Sequence, residues 1–239
     1  MSKITIHMKN KAFLAALLVF ASNAFAFDCP EHFPGVEPVV RIDYPKTREL
    51  CFTDMAILHS GGTKTPIYSV QKLNASKITR AKNVNRDGRF YEEARLPKTH
   101  RSSPDDYTRS GFDRGHMTPS GTQSSPEGMA QSFSMANIVP QDPKMNRVVW
   151  RKLEASVEKF VARTSGDVYV YTGPLFLYEK GYIGDGVKIP SHIWKLVLTD
   201  DRRNSKAWIL ENVGSATITS PISLSELEKH VGIKFTPRN

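Results

Sequence analysis

Residues 146–174 read NRVVWRKLEASVEKFVARTSGDVYVYTGP, and the pattern of this stretch changes halfway along. In its first half, apolar residues recur at spacings of three and four with charged residues between them, which predicts an amphipathic helix. Residues 167–172 are rich in β-branched and aromatic residues, which predicts a strand that Gly173 and Pro174 end. The apolar positions of the predicted helix are Val149, Trp150, Leu153, Val157, Phe160 and Val161.

The elements on both sides of this stretch are helices and strands that do not alternate regularly. Short apolar runs predict strands, and the capping-box pattern from Ser223 to Glu226 predicts a helix that Gly232 ends. A mixture of this kind favours an α+β fold over a doubly wound parallel sheet. The predicted elements are strands at 67–70, 193–198 and 207–210, a charged turn at 200–204 and a helix at 224–231.

The first 26 residues have the composition of a secretory signal peptide. Three lysines precede an apolar run at 12–21, and the small-residue sequence Ala24-Phe25-Ala26 follows. A transmembrane anchor would need about 20 apolar residues, roughly twice the length of this run. We therefore expect cleavage after Ala26, a secreted or periplasmic protein, and no stable membrane association after cleavage. We expect residues 27–239 to form one domain, with residues 27–50 as an irregular N-terminal strap.

The charge of the chain is strongly basic. Its 239 residues include 33 basic and 24 acidic residues, for a formal net charge of +9. Removing residues 1–26 takes away three lysines and no acidic residue, so 30 basic residues remain against 24 acidic ones and the charge is +6. A basic surplus favours polyanionic partners such as nucleic acid, anionic lipid or acidic glycans. Residues 76–111 are especially rich in arginine and lysine, and we expect them to form a solvated loop.

Cys29 and Cys51 are the two cysteines of the chain. In an oxidising compartment we expect them to form one disulfide that ties the strap to the domain and contributes about 3 kcal/mol on the chain-entropy model. The alternatives are two free thiols or an intermolecular bridge. A zinc site is disfavoured, since no histidines accompany the two cysteines at ligand spacing.

Residues suited to hydrolysis lie between positions 113 and 154. His116, in the segment DRGH at 113–116, can take a proton from water at neutral pH. Asn146 offers a neutral carbonyl oxygen, which is a suitable ligand for magnesium. Glu154 lies about two helical turns further along and can hold metal-bound water in the same cleft.

Each of these residues also has an ordinary structural interpretation. A histidine beside a glycine can be a hydrogen-bonded structural residue, Asn146 can cap a helix, and Glu154 can lie on a solvated helix face. Asp113 and Arg114 can form an ion pair. The order and spacing of the whole set argue against independent structural roles at every position.

Taken together, these residues resemble the DNA/RNA non-specific endonucleases, which are secreted or periplasmic nucleases with a ββα-metal (His-metal finger) active site. The resemblance spans roughly residues 51–235, and its central motifs are in register with the family pattern. The segments that carry it are Asp113-Arg-Gly-His116, Asn137-Ile-Val-Pro-Gln141, Asn146-Arg-Val-Val-Trp150-Arg-Lys-Leu-Glu154, residues 168–174, Ile189-Pro190 with Trp194-Lys195, and residues 231–235.

The resemblance implies an α+β fold with a mixed, mainly antiparallel sheet core, flanking helices and a ββα-metal motif. It also implies that His116 is the general base and that Asn146 is the direct protein ligand of one Mg²⁺ ion, for which Mn²⁺ can substitute. Glu154 would act through metal-bound water, and Asn137 would hold the geometry of the site.

The family also has an arginine near the scissile phosphate, upstream of the DRGH segment. Arg80 is the best match for it in this sequence, and Arg86 and Arg89 lie close enough to leave the assignment open. Arg114 is a second candidate for catalysis and substrate binding.

The implied activity is hydrolysis of DNA and RNA with 5′-phosphate ends and weak sequence preference, because the reaction needs only the backbone phosphate. Two alternatives are an exported nucleic-acid-binding protein without catalysis and a phosphatase or phosphodiesterase for small molecules. The complete set of His, Asn and Glu favours an enzyme, and the basic loops favour a nucleic acid as its substrate. The sequence leaves the oligomeric state open.

Overall fold

The computed structural model describes residues 27–200 and 204–235, and its largest element is a six-stranded sheet. The predicted signal peptide lies outside these residues, and so do residues 201–203 of the predicted charged turn. Within the described ranges, the helices are too short or too polar to cross a lipid bilayer. The strands are β1 (Val39–Val40), β2 (Thr47–Cys51), β3 (Ala56–Ser60), β4 (Thr65–Leu73), β5 (Asp113–His116), β6 (Ile138–Gln141), β7 (Val168–Leu175), β8 (Tyr182–Ile183), β9 (Val187–Lys188), β10 (His192–Thr199), β11 (Ser205–Glu211) and β12 (Ile233–Lys234), and the α-helices are α1 (Ala75–Ala81), α2 (Pro126–Ser132), α3 (Arg151–Val161) and α4 (Leu224–Val231).

Both faces of the six-stranded sheet are buried along its four inner strands, β10, β7, β4 and β3. Its strand order is β11-β10-β7-β4-β3-β2, and every neighbouring pair is antiparallel. Side chains alternate between the faces, so Tyr171 and Leu196 lie on one face and Val170 and Val197 on the other. The first, here called the terminal face, is covered by the N-terminal segment, α4 and Phe235. The second, here called the helix face, is covered by α3.

The amphipathic helix predicted after residue 145 is present in two parts. Residues Met145–Trp150 form a π-helical turn that contains Asn146, and α3 follows it directly. Val157 and Val161 are buried against the helix face as predicted, whereas Phe160 is 36% exposed. Since π-turns occur frequently at functional sites, the position of this turn is consistent with a site at the start of the helix.

The expectation that Gly173 and Pro174 end a strand is wrong, because β7 continues through them to Leu175. Proline has no backbone N–H to donate to a neighbouring strand. The pairing of β7 with β4 ends at Thr172, so Pro174 needs no N–H for a hydrogen bond to β4. A Cβ atom at Gly173 would lie 2.4 Å from the backbone oxygen of Ile67. The glycine therefore permits a close approach of two strands rather than a turn.

The basic stretch 76–111 is not loop throughout, because α1 occupies its first residues. Asn74 caps this helix by accepting a hydrogen bond of 2.9 Å from the backbone N–H of Lys77. Most residues of α1 are polar, but Ile78 is buried against the helix face of the sheet, and this contact stabilises the short helix. The remainder is irregular except for 3₁₀ turns at Lys98–His100 and Pro104–Tyr107 and an isolated bridge at Tyr91.

The N-terminal strap is tied to the domain by the expected disulfide between Cys29 and Cys51. Its last residues are not irregular as expected, because β2 is an edge strand of the sheet and pairs with β3. The exposed Arg48 and the half-buried Glu49 suit an edge strand, which charged residues protect from further pairing. The sequence pattern does not predict β2 or β3.

The C-terminal predictions are confirmed. β10 pairs antiparallel with the whole of β11 from His192 to Leu198, and α4 spans the predicted residues. The Ser223 hydroxyl accepts a hydrogen bond of 3.2 Å from the backbone N–H of Glu226. Gly232 ends the helix in the left-handed conformation, with φ of 65°.

Candidate active site

The DRGH segment forms the first strand of a small hairpin. β5 and β6 pair antiparallel, with Asp113 opposite Gln141 and His116 opposite Ile138. A Cβ atom at Gly115 would lie 2.1 Å from Oε1 and 2.6 Å from Cβ of Gln141, so any larger residue would displace the buried Gln141 side chain. The hairpin, the π-turn and α3 together form a ββα unit.

His116 lies at the end of β5 among aromatic rings. The ring centroids of Phe133 and Phe90 lie 5.0 Å and 5.5 Å from that of the imidazole. Burial lowers the pKa of His116 to about 3, and the Arg86 cation contributes in the same direction. Nε2 is buried without a hydrogen-bond partner among the described residues. The imidazole is therefore neutral at pH 7, the form that can accept a proton.

Asn137 is fully buried directly before β6 and binds the backbone that follows His116. Its Oδ1 accepts from the N–H of Thr118 at 2.9 Å, and its Nδ2 donates to the carbonyl oxygens of Thr118 and Ser132, each at 2.9 Å. The backbone oxygen of Asn137 accepts from the N–H of Met117 at 2.9 Å. Asn137 does not line the cleft described below, so its contacts support a positioning role rather than contact with substrate.

Asn146 lies in the π-turn, where a carboxylate orients its side-chain amide. Asn146 Nδ2 donates to Asp113 Oδ2 at 2.9 Å, and Arg147 Nε donates to the same oxygen at 2.8 Å. Because an ionised carboxylate only accepts hydrogen bonds, the NH₂ group must face Asp113 and Oδ1 is left for other ligands. Burial alone would raise the pKa of Asp113, but hydrogen bonds from Arg147 and Asn146 outweigh it and lower the pKa.

Two structural interpretations of these residues are wrong. Asp142, rather than Asn146, caps the helical segment, because its Oδ1 accepts from the backbone N–H of Met145 at 3.0 Å. Asp113 pairs with Arg147 instead of Arg114. Asn146 is therefore not a helix cap, and Arg114 is not the ion-pair partner of Asp113.

Glu154 lies on α3 between the cleft and a small buried cavity. Burial raises the pKa of Glu154 to about 7, while the positive charge of Lys195 acts in the opposite direction. Glu158 lies one turn further along the helix, and burial raises its pKa as well. The cleft wall thus contains two carboxyl groups whose ionised forms are disfavoured by burial.

The cleft has a volume of about 640 Å³, and parts of the chain that are distant in sequence line it. Four arginines and two glutamates lie in its walls, and Asp113 binds one of these arginines. The excess positive charge suits a phosphate-containing ligand. The lining residues are Arg86, Phe90, Arg114, His116, Pro119, Ser120, Gly121, Asn146, Arg147, Arg151, Glu154, Ala155 and Glu158.

The structure separates the upstream arginines that the sequence left open. Arg80 is exposed on α1, where its Nη1 donates to Ser76 Oγ at 2.6 Å, and it does not line the cleft. Arg86 lines the cleft, with its guanidinium carbon 5.9 Å from the centroid of the Phe133 ring. Of the three candidates, Arg86 therefore lies in the cleft lining, whereas Arg80 and Arg89 lie outside it.

Arg114 lines the cleft, and its guanidinium group is fixed by contacts with a backbone carbonyl and two aromatic rings. Its Nη2 donates to the carbonyl oxygen of Pro104 at 2.8 Å. Its guanidinium carbon lies 5.3 Å from the ring centroid of Phe90 and 5.9 Å from that of Tyr107. These contacts fix the cation without neutralising it, because none of them is to a carboxylate.

Sequence reasoning missed several cleft residues. Arg151 and Glu158 lie on the same helix as Glu154, and their positions three before and four after it were a usable signal. Phe90 also lines the cleft and gave no signal, since its contact with His116 depends on how the irregular segment before β5 folds back. Phe133, which follows α2 and contacts His116 without lining the cleft, gave none either.

The donor groups of the cleft fit a magnesium ion better than a zinc ion. Among the described residues, no group of three or more His, Cys, Asp or Glu side chains could hold a metal, whereas zinc sites usually require such a set. Magnesium keeps several waters and binds through few protein oxygens. Asn146 Oδ1 fits that requirement, and Glu154 lies in the same cleft to bind water.

A ββα unit that places a histidine, an amide and a carboxylate in one positively charged cleft defines the class of ββα-metal nucleases. The model of the DNA/RNA non-specific endonucleases matches residues 39–238, and the chain belongs to this family. The protein is therefore an endonuclease that hydrolyses nucleic acid, and the family is metal-dependent.

Known nucleases resemble the chain over most of its length. Nuclease C1 of Cunninghamella echinulata var. echinulata is 35% identical over 224 residues, which cover 84% of this chain and 88% of that protein. Human mitochondrial nuclease EXOG is 29% identical over 80% of this chain but only 57% of its own length. A solved structure of EndoG in complex with EndoGI has a TM-score of 0.71 and 24% identity, and the match covers 80% of this chain and 85% of that chain. This last similarity shows a shared fold.

Proposed function

We propose that this protein is an exported, sugar-non-specific endonuclease that hydrolyses DNA and RNA and leaves 5′-phosphate ends. The observation that carries the proposal is that His116, Asn146 and Glu154 line one cleft although they come from a strand, a π-turn and a helix. Export, to a periplasm or out of the cell, is supported by the signal-like composition of residues 1–26 and by the disulfide, which an oxidising compartment favours.

His116 is the proposed general base. Because Nε2 is buried, Nδ1 is the nitrogen that takes a proton from a water in the cleft, and the ring hydrogen stays on Nε2. The deprotonated water attacks phosphorus in line with the 3′ oxygen. The new bond joins the water oxygen to phosphorus, the bond from phosphorus to the 3′ oxygen breaks, and solvent protonates the departing oxygen.

Asn146 is the proposed protein ligand of Mg²⁺, with Asp113 holding the amide so that Oδ1 is available. A bound Mg²⁺ or Mn²⁺ ion would supply positive charge to the phosphate and the departing oxygen. Glu154 in its ionised form accepts hydrogen bonds from water in the cleft and so orders it.

Arg86 and Arg114 are the proposed phosphate-binding residues, and Arg151 adds charge at the cleft wall. Among the described residues, no carboxylate forms an ion pair with Arg86 or Arg151, so their charges are available to the substrate. Preorganised cations of this kind stabilise the negative charge that spreads over the phosphate in the transition state. The 2′ hydroxyl takes no part, which is why both DNA and RNA are expected substrates.

The decisive test is incubation of the purified protein with circular DNA and with structured RNA, with magnesium or with excess EDTA. We expect both polymers to be cut only with the metal, and His116→Ala to lower the rate by about 10² or more while the protein stays folded. Binding without cleavage would instead indicate a binding protein. Faster hydrolysis of a small phosphodiester than of duplex DNA would indicate a small-molecule enzyme.

Export is tested separately by expressing the full chain with its first 26 residues in a bacterial host. N-terminal sequencing of the exported protein should begin at Phe27. Retention of the complete chain inside the cell would contradict this part of the proposal.

A further inference from the structure

Lys195 is a buried lysine under the cleft, and the steps proposed above do not use it. It is 1% exposed and lies on β10, where its side chain points to the helix face opposite Thr172 of β7. Its Nζ donates to Thr172 Oγ1 at 2.7 Å and lies 4.9 Å from the ring centroid of Trp150. A buried lysine is rare unless it is paired, so its surroundings should contain a compensating charge.

The compensating charges are the two carboxyl groups of the cleft wall. Lys195, Glu154 and Glu158 line one cavity of only about 10 Å³, directly below the cleft that both glutamates also line. Trp150, whose ring Lys195 contacts, lies one helical turn before Glu154 on the same side of the helix. Lys195 therefore shares a cavity with the same two carboxyl groups that line the substrate cleft, and both of them act on its charge.

The charges around Glu154 act in opposite directions. Lys195 from the sheet and Arg86 from the segment before β5 favour its ionised form, whereas burial and Glu158 disfavour it. The positive charges of Lys195 and Lys82 lower the pKa of Glu158 and partly offset the effect of its burial. Burial lowers the pKa of Lys195, while the charges of Glu154 and Glu158 oppose this and favour its ammonium form.

We propose that Lys195 is a positioning residue for hydrolysis, whose buried ammonium group keeps the Glu154 carboxylate charged and directed into the cleft. This inference rests on the proposed function, since a charged Glu154 matters because it orders water beside the phosphate. A neutral Glu154 would be a poorer acceptor and would leave that water unoriented.

The direct test is an NMR titration of the Glu154 carboxyl carbon in the metal-free protein without substrate, with Glu154→Gln to assign the signal. Lys195→Met removes the charge at nearly constant shape, and we expect the midpoint to rise by about one pH unit or more. Glu158→Gln removes the opposing charge and should lower the midpoint. Lys72→Met is the matched control, since Lys72 pairs with Asp167 at 2.8 Å outside the cleft, and it should leave the midpoint unchanged.

Nuclease assays of the same variants test whether the charge of Glu154 affects the rate of DNA cleavage. Lys195→Met should cut DNA about tenfold more slowly at pH 7 and recover part of the rate at pH 8.5, whereas a packing defect alone would lower both rates alike. Equal midpoints in Lys195→Met and the wild type would overturn the proposal. Should Lys195→Met not fold, ¹⁵N detection of the wild-type lysine decides, because a neutral Lys195 amine at pH 7 would equally overturn it. A shifted midpoint in a protein that cuts no DNA would instead remove the proposed function and leave the charge pairing intact.

Discussion

The amide of Asn146 donates its Nδ2 hydrogen to Asp113 Oδ2 over 2.9 Å, so the first residue of the DRGH segment orients a side chain 33 positions further along the chain. Without that carboxylate, nothing in the described structure would distinguish the two ends of the amide. The contact joins the hairpin to the π-turn and leaves the oxygen of Asn146 for a cation. It gives Asp113 a role that is separate from its ion pair with Arg147.

Replacing Asp113 by alanine should weaken metal binding. With the amide free to rotate, we expect the magnesium concentration for half-maximal activity to rise about 10- to 100-fold. Magnesium titration of plasmid cleavage measures it. Arg147→Gln keeps the contact between Asp113 and Asn146 and should change the magnesium requirement far less, and Asp113→Asn keeps an acceptor and should restore part of the affinity. Equal magnesium requirements in Asp113→Ala and Arg147→Gln would show that amide orientation is unimportant.

Replacing Arg86 in the cleft should lower catalytic efficiency far more than replacing Arg80 on α1. Arg86→Ala removes a cation from the cleft wall and should lower kcat/KM for DNA by about 10²-fold. Arg80→Ala removes an exposed cation outside the cleft and should lower it by less than about twofold, through long-range attraction alone. Initial rates at several salt concentrations measure both variants. A larger loss in Arg80→Ala would reinstate Arg80 as the phosphate-binding residue.

The stability of the protein should fall in acid partly because of His116. Burial, with a contribution from Arg86, holds its pKa at about 3 in the folded state, below the value of about 6.5 expected in the unfolded chain. Below pH 6.5 the unfolded chain binds a proton that the folded chain does not, so the free energy of unfolding decreases as the pH falls towards 3. His59, which burial also holds at a pKa of about 3, contributes with the same sign.

Urea unfolding at pH 7 and pH 4.5 checks the part that His116 contributes. His116→Asn should lose less stability between the two pH values than the wild type, because an amide does not titrate there. Met117→Leu is a suitable control, since it changes a buried neighbour without a titratable group and should shift stability equally at both pH values. Identical pH dependence in His116→Asn and the wild type would contradict the buried neutral imidazole.

Removing the disulfide should reduce stability but not catalysis. Cys29→Ala with Cys51→Ala opens a loop with a sequence separation of 22 residues, which should lower the free energy of unfolding by about 3 kcal/mol. Neither cysteine lines the cleft, so the folded variant should cut DNA at the wild-type rate. Urea midpoints and initial rates test the two halves separately. An inactive but folded variant would show that the strap reaches the site.

The reach of sequence patterning differs between the parts of the fold. The helix after residue 145, the strands β10 and β11 and the helix α4 were predicted, because each has its own apolar period or cap. The sequence predicts that β7 ends at Gly173, because a Gly-Pro pair usually marks a turn. Only the structure shows that the pair lies within the strand, where the backbone of Ile67 comes close to Gly173. β3 was missed because all five of its residues are buried, so it lacks the alternation of a half-buried strand.

The sequence by itself determined the candidate reactive groups and the α+β class, and it favoured a disulfide between the two cysteines over free thiols or an intermolecular bridge, because these depend on residue type, local periodicity and count. Only the tertiary structure decided that Arg86 rather than Arg80 reaches the cleft, that Asp113 orients Asn146, and that Lys195 lies beneath Glu154. The physical reason is that charge and hydrogen bonding act over a few ångströms of space, and the distance between side chains far apart in sequence is set by how the sheet, hairpin and helix pack together.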